Sequence, residues 1–174
     1  MTRTIVLYPD PRLKKKSQIV TRFDEALKTL AGEMVETMRA VEGIGLAAVQ
    51  IGEMTRMMTM DAHYDREDRG VALVLVNPEI LDRSGTDNSE EGCLSMPEVR
   101  EVVERAARVK VRAHDLEGKE QVLEFEGILA RCIQHEIDHM NGHLFVEKVP
   151  AVKRLLLKTK LKELERKFKA TARK

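Results

Sequence analysis

Cys93 and Cys132 are the chain's only cysteines. Too few to staple 174 residues, and with no secretory leader in the polar stretch Met1 to Pro9, both are expected as free thiol or thiolate. Long apolar runs are missing too. Nothing approaches the roughly 20 residues that a membrane-spanning helix needs, and no transit peptide is expected, which favours a soluble protein of bacterial-type cytoplasm. Net charge is nearly absent, with 30 Lys and Arg against 29 Asp and Glu. That balance excludes the average surface of a nucleic-acid binder and that of an acidic disordered chain, and it says little about substrate. Repeats, low-complexity tracts and Pro- or Ser-rich linkers are also lacking, so a single domain over residues 1–174 is expected.

Patterned segments fill this frame. From Asp24 to Val41, Leu27, Leu30, Met34, Val35, Met38 and Val41 recur at helical spacing and predict an amphipathic helix, ended by Gly43-Ile44-Gly45. Leu46 to Ile51, Met57 to Met60 and Val71 to Val76 read as strands. The charged stretch Asp61 to Gly70 reads as a loop, and Asn77-Pro78 and Ser84-Gly85 as turns. Val109 to Ala113 and Val122 to Phe125 alternate apolar with polar around Asp115-Leu116-Glu117-Gly118, which predicts a hairpin. A second helix runs from Gly127 to the stop signal Asn141-Gly142. Pro150 fits the first turn of a last helix with an apolar stripe of Leu155, Leu156, Leu157, Leu161 and Leu164. Its other face is basic, with ten Lys or Arg against two Glu from Lys153 to Lys174. The fold class expected is α+β, mixed or antiparallel strands around a central helix, with helices towards both ends.

That central helix carries His135-Glu136-Ile137-Asp138-His139. Imidazoles four residues apart share one helix face and can share one cation, with Glu136 beside it. Two ligands do not hold a catalytic ion. Candidates for the third are Cys93, Cys132, a distant carboxylate or another His, and Cys93 in Glu91-Gly92-Cys93-Leu94-Ser95 is favoured because Gly92 permits a tight approach. Cys132 is placed in a pocket wall or the core. His63, His114 and His143 lack ligand-like spacing and are expected to be ordinary polar residues.

Three segments together, Gly43 to Gln50, Glu91 to Ser95 and Gln134 to His139, resemble the signature motifs of peptide deformylases. The resemblance extends to Pro9-Asp10-Pro11-Arg12-Leu13 and to Asn141-Gly142 before Leu144-Phe145. It implies one catalytic domain, metal ligands Cys93, His135 and His139, and Glu136 as general acid and base. Gln50 and the backbone N–H of Leu94 would bind the formyl oxygen. The reaction implied is removal of the N-formyl group from the starting methionine of newly made proteins, by attack of metal-bound hydroxide. A methionine pocket would involve Ile44, Ile128 and Cys132, with Gly43 and Gly45 freeing an edge for main-chain pairing. Arg131 falls where some relatives carry an apolar residue. Arg100 would meet the peptide, and Glu42 and Glu91 would orient Arg or ligand side chains. Fe²⁺ is the native ion implied, with Zn²⁺, Ni²⁺ and Co²⁺ as substitutes. The partners expected are a formyl-methionyl nascent polypeptide and, through the basic last helix, the ribosome, with neither membrane nor DNA. Two competing readings share the metal helix. One is a zincin-like peptidase, which would use His or Glu as third ligand. The other is a non-catalytic, RNA- or ribosome-binding module whose structural metal takes Cys132 as a fourth ligand.

Overall fold

The computed structural model describes residues 1–64, 67 and 70–171. Asp24 opens the first helix, α1 (Glu25–Ala40), by accepting a hydrogen bond from the Leu27 N–H. That contact satisfies one of the donors a helix start leaves free. Of the predicted stripe Leu27, Met34 and Met38 are buried, joined by Ala31, while Leu30 is partly buried and Val41, just past the helix, is exposed.

Among the described residues the strands pair antiparallel, and the hairpin between Asp87 and Arg105 lies outside the runs whose apolar pattern predicts strands. β1 (Gly45–Ala47), β2 (Met57–Asp61), β3 (Ala72–Ser84), β6 (Arg108–His114) and β7 (Glu120–Glu126) form one sheet in the order β1-β2-β3-β6-β7. β4 (Asp87–Cys93) and β5 (Met96–Arg105) form a separate hairpin. Side-chain alternation divides the sheet's residues between two layers. Met58, Met60, Leu75, Val109 and Val111 pack on α2 (Gly127–Met140), whereas Leu46, Met57 and Val76 pack on α1. A third cluster joins Met96, Val99 and Val103 of β5 to Val6, Leu13, Phe145 and the last helix, α3 (Ala151–Thr171).

Three expectations need correction. The predicted strand Leu46 to Ile51 is extended only to Ala47, because Ala48–Ile51 winds into a 3-10 turn that places Gln50 inward. Asn77-Pro78 does not end a strand. β3 runs through it with a register shift between Val76 and Glu79, and Asn77 takes φ +52° while its amide bonds both the N–H and the C=O of Val20. A local irregularity at Asn-Pro was legible, but its tertiary partner was not. The leucine stripe of α3 is also narrower than predicted. Leu157 and Leu164 are buried and Leu161 is partly buried, while Leu155 and Leu156 are 66% and 75% exposed. Consecutive helix positions diverge by about 100°, so Leu155, Leu156 and Leu157 cannot share one face.

The predicted hairpin of β6 and β7 and the end of α2 at Asn141-Gly142 match the structure, with Gly142 at φ +79°. Of the expected loop Asp61 to Gly70, residues 65, 66, 68 and 69 lie outside the described ones, and Asp61 itself closes β2. Among the described residues no helix is long and apolar enough to cross a membrane.

Candidate metal centre and active site

α2 divides its work by face. Ala130, Ile133, Ile137 and Met140 pack into the core against the sheet. Arg131, His135 and His139 recur every four residues on another face, turned to the β4-β5 hairpin. Ile128, Cys132 and Glu136 form a third stripe, which closes on Gly45 of β1. A Cβ on Gly45 would lie 2.5 Å from Cys132 Sγ and 3.0 Å from Glu136 Oε1, so glycine is what lets β1 approach this stripe.

The hairpin brings Cys93 to the histidine face. Cys93 Sγ lies 3.1 Å from His139 Nε2, which lies 3.1 Å from His135 Nε2, and all three donor atoms fall within 4.8 Å of one another. Donors sharing one tetrahedral ion sit roughly 3.3 to 3.6 Å apart, so a thiolate and two imidazoles so placed fit a divalent ion with little adjustment. Among the described residues this is the one such group, and Cys132 is outside it, which removes the fourth ligand that the structural-metal reading required. Both cysteines are free, and burial pushes the Cys132 thiol well up. His63, His114 and His143 also fall outside the group.

Orientation of the His135 imidazole comes from Glu91. Its Oε1 accepts from His135 Nδ1 at 2.6 Å and Arg105 Nη2 at 2.6 Å, and its Oε2 from Arg105 Nε at 3.0 Å and Arg131 Nη1 at 2.9 Å. Burial opposes ionisation of Glu91, but the hydrogen bonds from His135 and Arg105 prevail and hold it well below the usual carboxylate range. Burial opposes a charge on His135, but its hydrogen bonds to Cys93 and Glu91 prevail and push it well up in the metal-free protein. With Nδ1 donating to Glu91, Nε2 is the atom that would shed its proton to ligate. Burial and the neighbouring His135 drive His139 well down, so it stands neutral, the form that ligates.

Glu136 is 4% exposed, and its Oε2 meets no partner among the described residues. Burial pushes its carboxyl up to about 7, against the pull of His135. Gln50 enters from the 3-10 turn. The Ala47 N–H holds its Oε1 at 2.8 Å, which leaves the NH₂ end facing Cys93 Sγ at 3.7 Å and Ser95 Oγ at 3.4 Å.

A cavity of about 400 Å³ opens over these groups, bordered by Ile44, Gly45, Gln50, Leu94, Arg100, Ile128, Cys132 and Glu136 among others. Every substrate-contacting candidate from the sequence is therefore at one cavity. Glu42 stands at its mouth, and Arg100 crosses Gly92 there, 70% exposed and 3.6 Å from Glu90. A wider groove of about 870 Å³ between residues 18–22 and α1 contains none of the motif residues.

Arg105, Asp138 and Asp87 went unread in the sequence. Arg105 bridges Glu91 to Asp138 Oδ2 at 2.5 Å, and Arg131 bridges Glu91 to Asp87. The one available signal was the position of Arg131 a helical turn before His135, on the same face.

A sequence model of the polypeptide deformylase family matches residues 2–155. The chain belongs to the polypeptide deformylase family. It is 47% identical to the peptide deformylase of Alkalilimnicola ehrlichii over 162 residues, 93% of this chain and 90% of that protein. Against the Nitrosococcus oceani peptide deformylase the identity is 46%, over 93% of this chain and 95% of that one. The crystal structure of a peptide deformylase from Legionella pneumophila superposes with a TM-score of 0.86 at 44% identity, covering 100% of this chain and 99% of the other. That of the Thermus thermophilus peptide deformylase gives 0.88 at 41%, over 96% and 99%.

Proposed function

We propose that this chain removes the N-formyl group from the starting methionine of newly made polypeptides, acting in the cytoplasm as one catalytic domain over residues 1–174. The observation that carries the reading is the convergence of Cys93, His135 and His139 on one point beside the buried Glu136 carboxylate, whose Oε2 has no partner among the described residues. Metal dependence accords with the family and with this donor set. A Cys third donor, in place of His or Glu, argues against the zincin-like peptidase.

Cys93, His135 and His139 would hold a divalent ion, Fe²⁺ natively, with Zn²⁺, Ni²⁺ or Co²⁺ able to replace it. When bound, that ion supplies Lewis acidity and raises the acidity of water. The protein's own groups do the rest. Glu136 accepts the proton of the attacking water and hands it to the departing amine, a transfer for which a carboxyl near neutrality is suited. Gln50 Nε2 and the Leu94 N–H donate to the formyl oxygen as it gains charge, an effect of about 3 to 4 kcal/mol per donor at comparable sites. Ile44, Ile128 and Cys132 receive the methionine side chain, and the edge at Gly43 to Gly45 pairs with the peptide main chain. Arg100 at the mouth meets a carbonyl or carboxylate of the peptide. The basic face of α3 is the surface through which the ribosome would be approached.

The test is free-amine release from a formyl-methionyl tripeptide by anaerobically purified, Fe²⁺- or Ni²⁺-loaded protein, beside Glu136→Gln and the acetylated peptide. Turnover of the formyl peptide alone, lost in Glu136→Gln despite bound metal, is expected. A folded, metal-loaded protein that turns over nothing with any metal would overturn the reading.

A further inference from the structure

One buried charged side chain in the cavity wall has no task in the proposed reaction. Arg131 lines a pocket meant for an apolar side chain, yet its own side chain is only 4% exposed. Two carboxylates take up its guanidinium. Nε and Nη2 donate to Asp87 Oδ2 at 3.0 and 2.7 Å, Nη2 also reaches the Asp87 carbonyl at 2.9 Å, and Nη1 reaches Glu91 Oε2 at 2.9 Å.

Asp87 and Glu91 are four residues apart on β4, so both project from one strand face, here onto one guanidinium supplied by α2. Glu91 is the group that orients the His135 ring. Arg105 grips Glu91 through two parallel hydrogen bonds, and His135 shares the Oε1 that one of them uses. Arg131 supplies the remaining bond, on the oxygen that His135 does not use. A simple tether between β4 and α2 would need only Asp87. The shared contact with Glu91 connects the pair to the ligand.

We propose that Asp87 and Arg131 form a positioning pair that fixes the Glu91 carboxylate, and through it the His135 imidazole, in the orientation the metal requires. The proposal rests on the reading of Cys93, His135 and His139 as the metal site. Arg131 is thereby a positioning residue, with its stem serving as pocket wall.

The full chain loaded with Co²⁺ tests this, because the visible absorption of Co²⁺ reports its ligand geometry and its loss to a chelator can be timed without any substrate. Removing groups that orient metal ligands typically costs about 10- to 100-fold in metal affinity or activity. Arg131→Met should shed Co²⁺ about tenfold faster with an altered spectrum, and Asp87→Asn, one step further from the metal, about threefold faster. Arg131→Lys should not restore retention, since a single ammonium nitrogen cannot reproduce the contacts that Nε, Nη1 and Nη2 make in fixed planar geometry. With metal saturating, Asp87→Asn should lower kcat and leave KM within about twofold, because only orienting groups are disturbed; Asp87 does not border the cavity.

Variants that melt earlier in the metal-free form, yet keep the Co²⁺ spectrum and the rate of metal loss, would reduce the pair to a tether and overturn the proposal. Asp87→Asn, the mildest change, keeps the comparison usable if Arg131→Met does not fold. Should the unmodified chain bind Co²⁺ without deformylating, the deformylase reading fails while the retention data still decide the role of the pair.

Discussion

Glu136 puts catalysis and stability in opposition. Its carboxyl is raised from the ordinary 4.5 to about 7 by burial, so the folded, metal-free protein binds a proton there that the unfolded chain has released. The stabilising contribution of that proton is complete below about pH 4.5, declines as pH rises, and is lost above about 7. In metal-free protein at pH 8, Glu136→Gln should therefore raise stability by roughly 1 to 3 kcal/mol, the scale of an unsatisfied buried polar group, and the gain should vanish near pH 4. Urea melts of the two proteins at both pH values would measure this. Gly45 gives a second residue-scale expectation. Gly45→Ala places a methyl against Cys132 Sγ and Glu136 Oε1, which should displace the carboxylate and lower kcat by about 100-fold, the cost of an ångström of misplacement. A Gly45→Ala enzyme with unchanged kcat would show that the stripe on α2 can yield. At this scale the site was legible wherever chemistry forces a residue type at a fixed spacing, as with His135 and His139. Arg105 was not, because its partner Glu91 lies fourteen residues away in sequence, across a hairpin.

The same division holds for elements. α1, α2 and the β6-β7 hairpin could be read because periodicity and turn signals are local, although Asp24, the first residue of the predicted helix, is the cap of α1 and not its first turn. β3 could not be read through Asn77-Pro78, since the left-handed Asn77 is held by Val20, a residue far earlier in the chain. That arrangement predicts an order among substitutions. Asn77→Gly retains the backbone conformation and should cost about 1 kcal/mol for lost hydrogen bonds, whereas Asn77→Val adds strain at positive φ and should cost about 2 to 4 kcal/mol. Thermal melts that ranked the two equally would assign the bulge to Pro78 instead. α3 shows what sequence pattern leaves open. The leucines there advertise burial, but the available core in this region, built from Met96, Val99, Val103 and Phe145, takes Leu157 and Leu164 and leaves Leu155 and Leu156 outside.

In the whole molecule, the proposed ligands come from two structural layers that packing alone joins only in part. Cys93 belongs to the β4-β5 hairpin, separate from the five-stranded sheet, while His135 and His139 belong to the helix packed on that sheet. An ion held by all three clips hairpin to helix, in parallel with the ion pairs of Glu91 with Arg131 and Asp138 with Arg105. A ligand that binds only the folded state adds about 4 kcal/mol when present at a thousand times its dissociation constant. For a chain of this size each kcal/mol moves the midpoint by about 2 to 4 °C, so stripping the metal should lower Tm by roughly 8 to 16 °C. The loss should be reversed by Ni²⁺ or Co²⁺ and be absent in Cys93→Ala, whose melting should be indifferent to chelator. If Cys93→Ala still gains stability from metal to the same extent, the clip does not run through the hairpin, and the third ligand must be sought elsewhere around α2.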